Sequence, residues 1–570
     1  MENPEIAQIF EEIADLLEIQ GANTFRVRAY RNAARVVRDH PEPLADLAQD
    51  PNQIENLPGI GKDLAGKVRT IVETGDLPLR TELHAQVPPG LRDLLNIPGL
   101  GPKRAQILHR ELGIRTVEDL RQAVLARRIR EIKGFGEKTE EAILRALNKP
   151  DRAAQRVYLA DAKVFADAVV RHLKGTPGIG QVIVSGSLRR RLETVGDVDV
   201  LVTCPNAEPV MSRLAAYEGV GEVLARGDTK MTVRLTGGLQ LDLRVVPEEC
   251  YGAALVYFTG SKAHNIELRR MAQERGLKIS EYGVFRGEER AAGRTEEEVY
   301  AAVGLPWIPP ELREARNEFE LALAGRLPKL LEVDALRGDL HMHTTATDGR
   351  ATLEEMVEAA RRRGYEYIAI TDHSKRVTMA RGLDAERIVE HWREIDRLNQ
   401  KVHGITILKG VELDILEDGT LDLPDEVLAQ ADWVIAAVHY GQNQPRDQIT
   451  RRIVGAIRNP HVTAIAHPTG RLIGKRKPYE FELDTIFKEA ADHGCWMEVD
   501  GQPSRLDLDD IGIVAAREHG IPIVIDSDAH AVEELAFVEF GVYQARRAGL
   551  EAGDVANTRP LAEFRKLLRH

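Results

Sequence analysis

Two aspartates one residue apart, Asp197 and Asp199 in the run GDVDVLV, fall where alternation puts both side chains on one face of a strand. Carboxylates this close repel unless cations lie between them, which is the arrangement a pair of Mg2+ or Mn2+ ions requires. The apolar stretch QVIVSGS just upstream ends in Gly186 and Ser187, a small-residue bend with donors for a triphosphate. Arg189 and Arg190 follow with positive charge, and a third carboxylate, Asp242, arrives between Leu241 and Leu243 on a later apolar run. A lone D-x-D suits a solvated strand equally well. Joined to G-S, R-R and a third strand aspartate, it predicts in-line nucleotidyl transfer with Asp197, Asp199 and Asp242 as catalytic metal ligands.

A second set of chemically capable residues begins at RGDLHMHTTATDGR, where His341 and His343 share one side of a strand and Asp348 follows before a glycine. Downstream, apolar runs end in polar residues again and again: YIAITDH, ITILKGVELD, WVIAAVHY, VTAIAHP, CWMEVDG and IPIVIDSDAH. Helical stretches such as TLEEMVEAARRRG and ELDTIFKEAADHG lie between several of them. Buried strands alternating with helices indicate a parallel sheet, and seven such units suggest a closed barrel with its site at the carboxyl ends of the strands. His341, His343, His373, Glu412, His439, His467, Asp528 and His530 all fall there, with Asp348 on the opening loop. One strand-end histidine is usually structural. A set of this size exceeds a single tetrahedral ion and suits two or three ions with bridging carboxylates. Mixed imidazole and carboxylate donors favour Zn2+, Mn2+ or Fe over Mg2+ and predict phosphoester hydrolysis. Asp500 in MEVDGQP has no assigned role, and Arg471 in HPTGR is a candidate phosphate contact or a solvated arginine.

These strands need company. The first hundred and fifty residues or so repeat one plan three times, in NLPGIGKDLAGKVRTIVETG, NIPGLGPKRAQILHRELGI and EIKGFGEKTEEAILRAL. An apolar residue precedes a G-x-G turn and an amphipathic helix follows. Gly59, Gly61, Gly99 and Gly101 permit tight turns that open backbone N–H groups at a helix start, where one phosphate can be held without reading bases. Lys103 is among the nearby cations. One copy reads as a packing unit with a bend; three favour a nucleic-acid backbone as partner. The net charge of −13 across 570 residues does not oppose this, because charge acts per face and the second and third repeats are basic.

With these residues in view, the amino-terminal part resembles a family X DNA polymerase of the polymerase β type, and the repeats resemble helix-hairpin-helix motifs. YFTGSKAHN matches the thumb motif of that family. The match implies that Tyr257, Phe258 and Gly260 line the sugar of the incoming nucleotide, and that Asn265 and Arg269 face the nascent pair and template. It also implies that Ser187, Arg190 and Gly196 contact the triphosphate. Lys67 aligns with the lysine that forms a Schiff base in some relatives, a role that requires a lowered pKa. HMH, TDH, VELD, VHY, AHP and SDAH resemble the PHP (polymerase and histidinol phosphatase) domain, which implies a distorted (β/α)7 barrel holding about three Zn2+ or Mn2+ ions.

The expected architecture is multidomain. A helical DNA-binding domain spans 1–85, helix-hairpin-helix fingers 86–150, an α/β nucleotidyltransferase palm 151–245, a small α+β thumb 246–315, a linker 316–334 and the PHP barrel 335–570. The expected activity is gap-filling DNA synthesis from deoxynucleoside triphosphates, joined to 3′–5′ exonuclease, 3′-end processing or abasic-site cleavage. Rival readings are a PHP barrel that only stabilises the polymerase, a DNA-end scaffold, or hydrolysis of small phosphomonoesters. No apolar run nears the length of a membrane span, and the acidic amphipathic start fits no targeting peptide. The three well-separated cysteines suggest a reducing compartment. A cytoplasmic, nucleoid-associated monomer is expected.

Overall fold

The computed structural model describes residues 3–38, 40, 44–47, 51–55, 57, 59–87, 91, 94–97, 100–132, 134–148 and 156–568. The chain forms two compact units, Met1–Arg156 and Val157–His570.

The first unit is helical, with long helices at Asn3–Ile19, Thr24–Arg38, Lys62–Thr74, Pro78–Gln86, Pro102–Leu112, Val117–Leu125 and Glu137–Asn148. Apolar stripes converge on one core around Phe10, Ile13, Tyr30, Val68, Leu108 and Phe135. The first and third glycine turns adopt the same backbone: Gly59 and Gly134 have φ of +85° and +96°, a left-handed conformation that glycine adopts without a Cβ clash. Gly61 and Gly101 cap the helices that follow. Gly99 lies outside the described residues.

The second unit opens with β1 (Val157–Tyr158), β2 (Val182–Ser185), β3 (Thr194–Val195), β4 (Asp197–Thr203), β5 (Val220–Arg226), β6 (Lys230–Leu235) and β7 (Gln240–Val246). Five of these make a sheet in the order β2-β4-β7-β6-β5. β4 runs antiparallel to β2 and parallel to β7. Along β4, Val198, Val200 and Val202 point into the core, leaving Asp197 and Asp199 on the other face. The thumb follows, with helices Tyr251–Thr259 and Lys262–Glu274 packed on the antiparallel strands β8 (Lys278–Ser280), β9 (Gly283–Arg286) and β10 (Glu289–Ala292). The stretch 316–334, expected as a linker, packs on both neighbours: Phe319 and Ala322 join the thumb core and Leu331 the barrel core. Buried Glu318 meets His264 Nδ1 at 2.8 Å, and Phe319 stacks on the same imidazole.

The barrel strands are β11 (Gly338–Asp339), β12 (Tyr367–Ile370), β13 (Thr406–Asp414), β14 (Trp433–Ala437), β15 (Ala464–Ile465), β16 (Trp496–Asp500) and β17 (Ile523–Asp526), all parallel and in sequential order. A parallel bridge between Met342 and Ala529 brings the first and last strands together, so the barrel is nearly closed. Alternation explains the buried runs. Ile368 and Ile370 face the surrounding helices, while Tyr367 and Ala369 face an inner layer with Trp433, Trp496 and Phe564. Phe564 comes from the carboxy-terminal helix and stacks on Tyr367, filling the barrel interior.

Palm and barrel belong to one body. Leu506 and Phe540, from the barrel side, are buried in the palm core. Polar contacts flank them: Arg471 Nη2 donates to Glu193 Oε2 at 2.7 Å, and Arg547 Nη1 donates to the Arg190 carbonyl at 2.8 Å. Glu314 lies between Arg190 (3.0 Å) and Arg547 (3.1 Å), and Asp510 between Arg547 (2.7 Å) and Arg316 (3.1 Å). Opposite charges alternate through this buried chain, so each desolvated ion has a partner.

Candidate active sites

The parallel register of β4 and β7 sets Asp199 directly beside Asp242, and Asp197 lies on the same face one residue pair away. Burial, and then the charges of Asp197 and Asp242, push the Asp199 carboxyl up to about 7. Three acids in such a group call for a cation. Lys230 Nζ, 3.5 Å from Asp242 Oδ2, and the Thr232 hydroxyl, donating to Oδ1, hold the third carboxylate from the neighbouring strand. Gly186 begins the short helix after β2 with φ of +65°, and a Cβ there would lie 2.3 Å from Asp199 Oδ2. Only glycine lets the turn approach the carboxylates this closely. Ser187 occupies the same turn, and Gly196 lies exposed between β3 and β4.

Of the residues expected to contact the nucleotide, Arg190 and Gly260 meet beside this turn. Arg190 Nη1 donates to the Thr259 carbonyl, and a Cβ on Gly260 would come within 3.1 Å of the same nitrogen. Arg190 Nε is held by Glu314, while Nη2 has no partner among the described residues. Tyr257 and Phe258 are half-buried and meet edge to face at 5.1 Å, with the Arg244 guanidinium 4.5 Å over the Phe258 ring. Asn265 Nδ2 donates to the Tyr257 carbonyl at 2.7 Å, and Arg269 Nε to the Asn265 carbonyl at 3.0 Å. These bonds orient the motif and leave the outer guanidinium nitrogens of Arg269 for other partners.

In the first unit, Lys103 is exposed at the start of its helix behind Gly101. Lys67 differs from what a Schiff-base lysine requires. Its ammonium lies 2.5 Å from Asp63 and 5.0 Å over the Tyr30 ring. Partial burial opposes its charge, yet Asp63 and Tyr30 outweigh that and raise its pKa.

At the barrel mouth all the sequence-derived ligands converge. Glu412 is central: Oε2 lies 2.8 Å from His373 Nδ1 and 3.5 Å from both His341 Nε2 and His343 Nε2. Its Oε1 lies 2.9 Å from His467 Nε2 and 3.1 Å from His439 Nε2. Asp528 Oδ1 is 3.2 Å from His343 Nε2. Asp348, on the more open side, reaches His530 Nε2 at 3.5 Å and His373 Nε2 at 3.6 Å. Three overlapping groups have ligand atoms within 4.8 Å of one another: His343, Asp348, His373 and His530; His341, His343 and Asp528; His373, Glu412 and His439. Among the described residues, buried His341 Nε2, His343 Nδ1 and Glu412 Oε2 have no hydrogen-bond partner, and such orphaned donors and acceptors fit metal ions. His467 and Asp528 carry φ of +29° and +48°, a strained backbone typical of functional positions.

Electrostatics divides the imidazoles. Burial, with His530 and His373 nearby, lowers His343 to about 4, and burial with Arg505 nearby lowers His467 to about 3. Burial also opposes charge on His373 and His530, but Glu412 and Asp348 push His373 up to about 10. Asp348 and Asp528 push His530 up to about 9.

Three participants escaped the sequence reading. Glu498 accepts from His341 Nδ1 at 2.6 Å and from the His467 backbone N–H at 2.5 Å, and Asp414 lies 3.2 Å from His439 Nδ1. Carboxylates behind ligating imidazoles fix the tautomer and ring orientation. The alternation in WMEVD that flags Asp500 also flags Glu498. The third is Arg505, beside Asp500 at 3.6 Å. Arg471, in contrast, is no free phosphate contact. Its guanidinium is spent on Glu193 and on the carbonyls of Arg505 and Leu506, because the palm covers it.

Comparison with known proteins follows the same division. Family models match a helix-hairpin-helix domain at residues 1–77, a SAM-like helix-hairpin-helix tandem at 91–149, a DNA polymerase beta thumb at 254–314 and a PHP domain at 339–489. The chain is 39% identical to the DNA polymerase/3′-5′ exonuclease PolX of Bacillus subtilis (strain 168), covering 100% of both. It is 27% identical to rat DNA polymerase lambda over 55% of this chain and 56% of that one. It is 30% identical to a protein named "Probable phosphatase" in Thermoanaerobacter sp. (strain X514), over 39% of this chain and 89% of that one. Palm carboxylates, thumb motif, glycine turns and barrel cluster agree with a relative matched from end to end: this chain belongs to the family X DNA polymerases that carry a carboxy-terminal PHP domain.

Proposed function

We propose that the protein fills short gaps in damaged DNA and removes nucleotides or blocking groups from 3′ ends, using separate sites for the two reactions. The observation that supports synthesis is the register pair Asp199–Asp242 with Asp197 on the same face. Mg2+ or Mn2+ bound there supplies activation of a primer 3′-hydroxyl and neutralisation of the departing pyrophosphate. Ser187, Gly196 and Arg190 hold the triphosphate of a deoxynucleotide. Tyr257, Phe258 and Gly260 pack against its sugar, and Asn265 and Arg269 face the nascent pair and template. The turns at Gly59, Gly61 and Gly101 grip DNA phosphates, and Lys103 adds charge. Lys67 fits a phosphate contact better than a Schiff base, since its pKa is raised.

At the barrel, His341, His343, Asp348, His373, Glu412, His439, His467, Asp528 and His530 hold about three Zn2+ or Mn2+ ions, which supply an activated water for phosphoester hydrolysis. The retention of this whole set, with orphaned buried donors, supports a working hydrolase over a structural barrel. One experiment tests both halves: a gapped primer–template assayed with Mg2+ and Mn2+ separately, comparing wild type, Asp242→Ala and His341→Ala. Incorporation should vanish in the first variant and 3′ removal in the second. Incorporation that survives Asp242→Ala removes the polymerase assignment, and removal that survives His341→Ala removes the hydrolase assignment.

A further inference from the structure

The helix Val538–Arg547 has two buried faces. Val538, Val542 and Ala545, spaced as one helical stripe, lie in the barrel core, whereas Phe540 and Tyr543 pack on the palm core. Arg547 continues the palm-facing stripe one turn beyond Tyr543, and its side chain is only 7% exposed. The palm stretch it meets is the one that follows the nucleotide turn. Arg547 Nη1 donates to the Arg190 carbonyl at 2.8 Å, and the Arg191 guanidinium lies 4.2 Å over the Tyr543 ring. Two residues on, Glu193 accepts from Arg471 of the barrel at 2.7 Å. The backbone leaving the Gly186–Arg190 turn is thus seated on barrel groups.

The same Arg547 nitrogen also donates to Glu314 Oε1 at 3.1 Å, and that oxygen accepts from Arg190 Nε at 3.0 Å. Arg547 therefore acts on Arg190 twice, at its carbonyl directly and at its guanidinium through Glu314. Its other outer nitrogen, Nη2, is fixed by Asp510 at 2.7 Å, and Asp510 is shared with Arg316. Three arginines alternate with two carboxylates in this chain, which leaves one positive charge over. Arg190 stands at one end of it, with Nη2 unpartnered among the described residues. Without Arg547 the charges would balance and Glu314 would fall to Arg190 alone, offsetting the cation that a triphosphate needs.

We propose that Arg547, carried by a helix of the barrel, is a positioning residue for nucleotide binding in the palm. It seats the Arg190 backbone and neutralises Glu314, so that the Arg190 guanidinium is left to the triphosphate. The inference deepens the reading of Arg190 as a triphosphate contact and rests on it. It gives the barrel a part in synthesis apart from its metal cluster, since none of the barrel ligands belongs to this chain of charges.

The test is steady-state incorporation on gapped DNA by the full-length protein, with the deoxynucleoside triphosphate varied and 3′ removal measured on the same preparations. Arg547→Met should raise the nucleotide KM about tenfold, the scale of a lost charge-assisted contact, with kcat changed far less and 3′ removal unaltered. Arg547→Lys keeps the charge without the fork and should recover part of the loss. Arg190→Met should raise KM at least as far. Combining Arg190→Met with Arg547→Met should add nothing to Arg190→Met alone, because the second residue acts through the first. A purely architectural role would lower kcat and 3′ removal together at an unchanged nucleotide KM. That result overturns the proposal, as do additive KM shifts in the double variant. If Arg547→Met does not fold, Asp510→Asn, which frees Arg547 Nη2, carries the decision: KM should rise, and an unchanged KM overturns the proposal. A raised KM in Arg190→Met beside a wild-type KM in Arg547→Met overturns the proposal alone. A wild-type KM in Arg190→Met removes the triphosphate reading of Arg190, and the proposal with it.

Discussion

The palm and the barrel solve the same problem, gathering negative and neutral donors around metal ions, by opposite means. On the palm, three carboxylates share one open face of a sheet, and a lysine and a threonine hold the third of them. In the barrel, imidazoles and carboxylates are sunk at the ends of parallel strands, with His341, His343, Glu412 and His467 almost wholly buried. Oxygen donors on an open face suit Mg2+, which keeps several waters and arrives with phosphates. Buried imidazoles with carboxylates behind them suit resident transition metals. We therefore propose that the palm takes ions that come and go with the nucleotide, and that the barrel holds ions that stay.

The largest effect that could break this comparison is a crossed loss of function. Asp199→Asn should reduce incorporation on the order of 10³-fold and spare 3′ removal. Asp528→Asn should do the reverse on the same primer–template. If either variant lost both activities while keeping its unfolding temperature, the two sites would not be separate centres.

Much of both sites was legible because their signals are local. Alternation in DVDVLV and HMH needs only neighbouring residues, and the repeated strand ends announce a barrel mouth. What stayed hidden depends on long-range packing. Arg471 reads as a solvent or phosphate contact until Glu193, 278 residues away, is seen to bind it. Arg505 lies in a loop with no periodicity, so no spacing marks it. Residues 316–334 read as a linker because nothing nearby shows that Glu318 and Phe319 have a partner in His264. Glu498 and Asp414 are the misses with a local signal, since each stands two residues from a flagged acid, in WMEVD and VELD.

Glu498→Gln sharpens the claim of resident ions. It keeps the shape behind His341 while weakening the acceptor that sets the ring, and should cost 10–100-fold in barrel metal affinity by roughly the usual effect of such partners. Competition with a fluorescent chelator measures it, and incorporation by the palm should be unaltered. A smaller effect follows from chelation itself. Ions that bind only the folded barrel stabilise it by about 3–4 kcal/mol at a hundred- to thousandfold excess over Kd. Dialysis against a chelator should therefore lower the unfolding temperature of wild type and Asp242→Ala alike. His341→Ala should show little of that drop. An equal drop in all three would place the structural ions elsewhere.

The finest distinction lies in protons. On the palm, Asp199 is raised to about 7 by burial and its neighbouring carboxylates, so below that pH a cation must displace a proton and apparent affinity falls about tenfold per unit. Above pH 8 the proton is already gone and loading releases almost none. In the metal-free barrel, Glu412 and Asp348 hold His373 near 10, and Asp348 and Asp528 hold His530 near 9, against the cost of burial. Both imidazoles are therefore protonated at pH 8 and must lose their protons to bind metal. Barrel affinity should go on rising with pH to about 9–10, where palm affinity has levelled off. Mn2+ titrations at pH 8 in two buffers of different ionisation enthalpy separate the cases. Asp242→Ala, with the barrel alone intact, should release protons on loading, from His373, His530 and His341, whose proton affinity neighbouring carboxylates also raise against the cost of burial. His341→Ala, with the palm intact, should release close to none at the palm. Equal proton release from the two variants would mean that the carboxylate–imidazole pairs do not hold charge in the metal-free barrel, and that its donors are as open to metal as those of the palm.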